Sequence, residues 1–256
     1  MRRIYLFTTI FNVIFFISGK TQNIQVHYLG HSAFVLKFDD ITVVSDYGKP
    51  NAWKEWGWDS PIYDIGNIVP DIMTFSHTHD DHYDSTRIPE GVKFVLIHGD
   101  SLVYKDLKIT PIKTCEDHFG DFMNTSYLFT YKGYNILHTG DIQIMIANIE
   151  NDTIKNYFKY NYPLKVDLLI MPVEGKIKYI EQAEKFIQFV HPNIVIPAHF
   201  WTLDYLNSFL DYTNSKNEES TKYNVLKESE SILKLNPNNS DNTINIYVLT
   251  AGPYKR

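Results

Sequence analysis

The chain has 256 residues, 44% of them hydrophobic and 15% aromatic, which is enough for one well-packed domain and too little for two comfortable ones. Its formal charge of -6 excludes the broad basic field that a nucleic-acid backbone would need. Cys115 is the one cysteine, which excludes an internal disulfide and a cysteine-rich zinc site.

Arg2 and Arg3 precede an apolar or weakly polar run from Ile4 to Ile17, followed by Ser18-Gly19 and polar residues. A basic start, a short apolar run and a small-residue exit predict a signal peptide over residues 1–19. The run is shorter than the about 20 residues of a spanning helix. The expectation is a mature domain over 20–256, periplasmic or secreted, with no stable membrane anchor after cleavage.

Alternating apolar residues predict strands from Ile24 to Tyr28 and from Ala33 to Phe38, joined by Gly30-His31-Ser32. A third, from Ile41 to Ser45, ends at Asp46. Trp53, Trp56, Trp58 and Tyr63 then lie in a stretch without period, broken by Pro50, Gly57 and Pro61, which predicts a long loop. Loops of that length are usually functional or disordered, and the aromatic content argues against disorder. Trp53, Trp56 and Trp58, with Phe200 and Trp201, either wall an apolar or sugar-binding pocket or simply pack.

Ile72 to Phe75 reads as a strand leading into Ser76-His77-Thr78-His79-Asp80-Asp81-His82. Further strands are expected from Phe94 to Ile97, Leu107 to Ile112, Tyr127 to Tyr131, Tyr134 to Leu137, Val166 to Met171, Asn193 to Ile196 and Ile244 to Leu249. Ile180, Ala183, Phe186, Ile187 and Val190 share one face of a helix stopped by His191-Pro192. Leu203, Leu206, Phe209 and Leu210 suggest a second helix, and residues 215–221 a polar loop.

His is the commonest transition-metal ligand, and carboxylate oxygen is its usual partner at hydrolytic sites. In an extended segment His77, His79 and Asp81 share a side, and His82 joins them only if the chain turns after His79. Other potential ligands follow strands too: Asp141 after His138-Thr139-Gly140, and His199 after Pro197-Ala198. Open α/β architectures place sites at such strand ends. Lys176 and Lys178, past the Val166 to Met171 strand, are either phosphate contacts or solvated surface charges.

Together, H-x-H-x-D-H at His77 to His82, then His118, Asp141 and His199, resemble the metallo-β-lactamase superfamily from about Val26 to Leu249. The resemblance implies an α/β fold, a four-layer αββα sandwich. It implies two divalent metal ions, zinc by default with manganese or iron as alternatives. His77, His79 and His118 would hold the first, Asp81, His82 and His199 the second, and Asp141 would bridge both. Asp81 and Asp141 would be the catalytic carboxylates. His98 is the rival to His118. Gly30-His31-Ser32-Ala33-Phe34 and Val44-Ser45-Asp46 are similar to the branch containing L-ascorbate-6-phosphate lactonase, though Tyr47 stands where that branch usually has proline. His31 is either a donor behind the metal ligands, a substrate contact or a turn residue.

The implied activity is hydrolysis of a small-molecule ester or lactone by a metal-bridging hydroxide. The alternatives are a phosphodiesterase or phospholipase-like hydrolase, or a non-catalytic metal- or ligand-binding protein. True β-lactamases match poorly: the commonest type uses a cysteine at the second site, and Cys115 stands before His118.

Overall fold

A computed structural model describes residues 23–116, 123–142, 165–174, 177–216, 222–235 and 243–255. The expected signal segment, His118 and Lys176 lie outside the described residues, as does the side chain of Lys178.

Two mixed sheets face each other. The first has six strands in the order β13-β1-β2-β3-β4-β5. These are β1 (Ile24–Gly30), β2 (Ala33–Phe38), β3 (Ile41–Ser45), β4 (Ile72–Phe75), β5 (Phe94–Ile97) and β13 (Ile232–Leu235). The second has eight strands, β12-β14-β11-β10-β9-β8-β7-β6. They are β6 (Leu102–Tyr104), β7 (Leu107–Thr114), β8 (Asn124–Tyr131), β9 (Tyr134–His138), β10 (Leu168–Pro172), β11 (Ile194–Ala198), β12 (Lys222–Lys227) and β14 (Thr243–Val248). Antiparallel hairpins build β1 to β3 and β6 to β9, while β3, β4 and β5 run parallel, as do β9, β10, β11, β14 and β12.

Period-two alternation sorts the side chains. Phe34, Leu36 and Phe38 of β2 point between the sheets and meet Tyr127, Phe129 and Tyr131 of β8. Their neighbours Ala33 and Val35 face outward, against Tyr47, Ile62, Ile65 and Ile68 of the long loop. On the second sheet, Leu169 and Met171 face helices α1 (Ile177–Val190) and α2 (Leu203–Ser215). Sheets buried on both faces explain why the strands read as nearly continuous apolar runs. Each buried Leu, Ile or Phe contributes about 1.5–3 kcal/mol relative to exposure. This is the expected α/β sandwich; among the described residues, the helical outer layer lies over the second sheet. No helix among them is long and apolar enough to cross a membrane.

Strands β6, β12 and β13 were not expected from the sequence. All three are short or carry charged and polar residues on an exposed face, so their apolar alternation is thin.

Candidate metal centre

The ends of β3, β4, β9, β10 and β11 open on one rim of the sandwich, and the β1–β2 turn and the end of β7 reach it. After β4 the chain turns at His79, whose carbonyl accepts the amides of His82 at 2.9 Å and Tyr83 at 2.8 Å. The turn breaks strand parity and returns His82 to His77, with ring centroids 4.2 Å apart. Gly48 lets the chain after β3 lie against this turn: a Cβ there would stand 2.2 Å from the carbonyl carbon of Asp81.

Asp141 enters behind Gly140, which has φ +60° and whose Cβ would stand 2.3 Å from that of Ser76. Its amide donates to Asn124 Oδ1 at 3.1 Å. The amide of His199 donates to the carbonyl of His31 at 3.0 Å, tying β11 to the β1–β2 turn. His31, Asp46 and His199 all hold left-handed backbone, at φ 50°, 47° and 50°. Such strain in non-glycine residues gathers at functional sites.

The candidate ligand atoms form four overlapping groups, each within 4.8 Å: His31, Asp81, His82 and His199; His77, His79 and Glu116; His77, His82 and Asp141; and Asp141, Glu174 and His199. Asp141 sits in two of them, between the His77 side and the His199 side. Buried atoms His77 Nε2, His82 Nε2, His199 Nε2 and Asp81 Oδ1 have no hydrogen-bond partner. A buried polar group left unpaired costs about 1–3 kcal/mol, so this convergence is unfavourable without a ligand. The observed ion pairs of Asp46, Asp81, Glu116, Asp141 and Glu174 in this cluster are all with histidine. Imidazoles and carboxylates of this kind fit divalent cations.

Several partners orient the candidate ligands. His31 Nε2 donates to Asp81 Oδ2 at 2.8 Å, and the same oxygen lies 3.5 Å from His82 Nε2 and from His199 Nε2. His82 Nδ1 donates to Asp46 Oδ2 at 2.9 Å, and Asp46 also accepts from the Ser76 amide at 2.7 Å and hydroxyl at 2.8 Å. Glu174 Oε1 stands 3.0 Å from His199 Nδ1. Holding the far nitrogen of a ligand histidine fixes its tautomer and ring orientation.

The protonation of these groups follows from burial and neighbours. Burial would raise Asp46, but bonds from His82 and Ser76 and the nearby His138 hold it at about 2. Burial likewise opposes ionisation of Asp81, yet His82, His199 and His31 push its pKa well down. Burial lowers His31 to about 3, with His199 adding to the effect, and lowers His77 to about 2. Both are therefore neutral, the form that binds metal or donates to a carboxylate. Burial raises Asp141 to about 6, against the pull of His199. His199 itself is raised by Asp141, Asp81 and Glu174 despite its burial. His79 is raised chiefly by its contact with Glu116.

The structure thus brings His77, His79, Asp81, His82, Asp141 and His199 together. His118 lies outside the described residues, and His98 is exposed, belongs to none of the groups, and offers its carbonyl to Lys113. Of the open readings of His31, the structure shows a turn residue whose side chain holds Asp81. Sequence reasoning missed Glu116, Glu174 and the orienting role of Asp46. A polar residue just past an apolar strand was the available signal for Glu174, since Asp141 and His199 follow the same rule.

A cavity of about 320 Å³ opens over the centre, lined by Trp53, Trp56, Trp58, Trp201, His79, Asp81 and Asp141. These are all four tryptophans of the chain. Trp201 stands 5.0 Å from His199 and 4.9 Å from Trp58, and Trp53 meets His79 edge-on at 6.4 Å. Wall, then, rather than packing, describes the tryptophans; Phe200 instead packs against the two cores.

Residues 25–199 match the family model described as the beta-lactamase superfamily domain. The chain belongs to the metallo-β-lactamase superfamily. It is 26% identical over 214 residues to a UPF0173 metal-dependent hydrolase of Salinibacter ruber, covering 72% of this chain and 88% of the relative. A UPF0173 metal-dependent hydrolase of Methanosarcina barkeri is 22% identical over 241 residues, 82% of this chain and 98% of the relative. Among solved structures, a candidate Zn-dependent hydrolase of the superfamily from Thermotoga maritima aligns with TM-score 0.56 and 20% identity, over 89% of this chain and all of that one. At that identity the likeness speaks for the fold.

Proposed function

We propose that this metal-dependent hydrolase binds two divalent cations at the strand-end centre and cleaves an ester or lactone lodged in the tryptophan cavity. The observation that carries the reading is the convergence of unpaired, buried His77 Nε2, His82 Nε2, His199 Nε2 and Asp81 Oδ1, with Asp141 shared between two groups. His77, His79 and His118 would hold one cation, Asp81, His82 and His199 the other, and Asp141 both. Zinc suits the imidazoles, and the carboxylates leave room for manganese or iron. When bound, two such ions supply a water of lowered pKa and positive charge beside the oxygen under attack.

The protein's own contribution is orientation and exclusion of water. His31 fixes Asp81, Asp46 fixes His82, and Glu174 lies behind His199. The tryptophan rings present flat apolar surface to the substrate beside the open edge of His79. No Lys or Arg among the described residues lines this cavity. The apolar tryptophan wall supports the ester or lactone over the phosphodiesterase and phospholipase-like alternatives.

Chelation, metal add-back and a panel of lactones, esters, phosphodiesters and β-lactams test this. The expected result is two ions per chain and metal-restored lactone or ester turnover. Turnover of phosphodiesters alone would shift the reading to the alternative substrate class; two bound ions with no turnover would favour a binding protein. Export to the periplasm or medium, with residues 1–19 removed, is part of the proposal. N-terminal sequencing of the mature protein checks it.

A further inference from the structure

Glu116 lies just past the end of β7 and has no part in the ligand set that the family resemblance implies. Its side chain is 8% exposed, and its two oxygens face the two histidines of one group: Oε1 stands 2.8 Å from His79 Nδ1 and Oε2 3.8 Å from His77 Nε2. His77 Nδ1 already pairs with Ser76 Oγ at 3.0 Å, so Nε2 is its free, centre-facing nitrogen. A carboxylate that merely oriented His79 would address the nitrogen turned away from the metal. Here it addresses the unpaired nitrogen of His77 as well. Two imidazole nitrogens and one carboxylate meeting within 4.8 Å, at the inner edge of an open cavity, have the donor set of a cation site.

We propose that Glu116 is itself a ligand of the first metal ion, adding a carboxylate oxygen to His77 and His79. This rests on the dinuclear reading above and deepens it. The consequence is chemical. A site dominated by imidazole nitrogens favours zinc, whereas a second carboxylate beside Asp141 raises the standing of manganese and iron(II), which accept oxygen donors. It also places a negative charge beside the first ion, lowering the net positive charge that this ion presents to the substrate.

Cadmium-113 NMR and metal competition on the purified full chain, with Glu116→Gln and Glu116→Asp beside wild type, test it without using activity. Two resonances are expected in wild type. In Glu116→Gln one should shift or vanish while the other stays, with first-site affinity falling more than the about 10- to 100-fold typical of a lost carboxylate behind a ligand. Glu116→Asp should keep both resonances with weaker binding, and Glu116→Gln should move the zinc-over-manganese preference toward zinc. Matching circular dichroism of the metal-free proteins shows that the variants fold. Two unmoved resonances in Glu116→Gln would overturn the proposal, as would a loss within 100-fold with both resonances in place. A single wild-type resonance would instead sink the dinuclear reading, and whether Glu116→Gln moves that resonance would still decide for or against Glu116.

Discussion

The two halves of the centre are built to different standards of enclosure. In the half formed by His31, Asp81, His82 and His199, the side chains are 0–4% exposed. Asp81, His82 and His199 each have a partner: His31 for Asp81, Asp46 for His82, Glu174 for His199. In the half formed by His77, His79 and Glu116, the His79 side chain is 52% exposed and lines the cavity. The contrast separates two tasks. A closed, braced half suits an ion that stays, because its ligands are already ordered before binding. An open half suits an ion that meets solvent and substrate.

The strongest way to break that comparison is to remove the group the halves share. Asp141→Ala should reduce kcat/KM by about 1,000-fold, the upper part of the range for losing one electrostatic contact to the transition state. It should also weaken both ions together in metal analysis. Full activity with two ions retained would show that the halves do not communicate through Asp141.

A smaller effect should fall on one half alone. Asp46→Asn removes the charge that orients His82 and should lower affinity for the enclosed ion by about 10- to 100-fold, with activity recovered at high zinc. In wild type, mild chelation should strip the open half first and leave one ion per chain. In Asp46→Asn that order should blur or reverse, as equilibrium dialysis would read directly. If wild type loses both ions at one chelator concentration, enclosure does not set their affinities.

Much of the centre was legible in the sequence, for a physical reason. His77, His79, Asp81 and His82 sit close together on one short piece of chain, so local spacing carries their geometry. Asp141 and His199 follow apolar strands, and parallel strands align their ends at one rim. His82 was legible only conditionally, because its placement depends on a turn made by backbone bonds to the His79 carbonyl. Glu116 was invisible, because nothing local separates it from a surface carboxylate until the sheets bring it to the rim; Glu174 offered only its place just past an apolar strand. The sequence left the tryptophans open between wall and packing. Aromatic residues usually pack, and only the tertiary arrangement shows Trp56 to be 74% exposed. Strands β12 and β13 escaped because exposed faces dilute their apolar alternation.

Beneath the enclosed half, His138 is buried against Phe34 and its Nδ1 meets Ser45 Oγ at 2.7 Å. Burial lowers its pKa from 6.5 to about 4. Between those values the unfolded chain takes up a proton that the folded one refuses, so stability falls as pH drops from 6.5 towards 4 and loses nothing more from this group below it. The full loss is about 3 kcal/mol, because each tenfold difference in proton affinity between the two states is worth about 1.4 kcal/mol. Denaturant titrations of metal-free wild type and His138→Asn across pH 4 to 7 should diverge by this amount. Parallel profiles would mean that His138 is protonated in the folded state and that the interior under the centre is wetter than its burial implies.

The smallest expected effect concerns how the cavity wall divides between the halves. Trp56 touches the substrate space from the solvent side, whereas Trp201 lies 4.7 Å from His31 and 5.0 Å from His199. Covering part of an exposed indole with an apolar substrate contributes about 1–2 kcal/mol at roughly 25 cal/mol per Å². Such contact holds substrate and transition state alike. Trp56→Ala should therefore raise KM about 10-fold and leave kcat nearly unchanged, since uniform binding appears in KM alone. Trp201→Ala should lower kcat as well, because it loosens the packing of two residues that position the enclosed half. Steady-state kinetics on the best substrate of the panel separates the two. Should Trp56→Ala lower kcat and spare KM, the outer ring would be acting on the reacting group, and the division between an open, binding half and a closed, bracing half would fail.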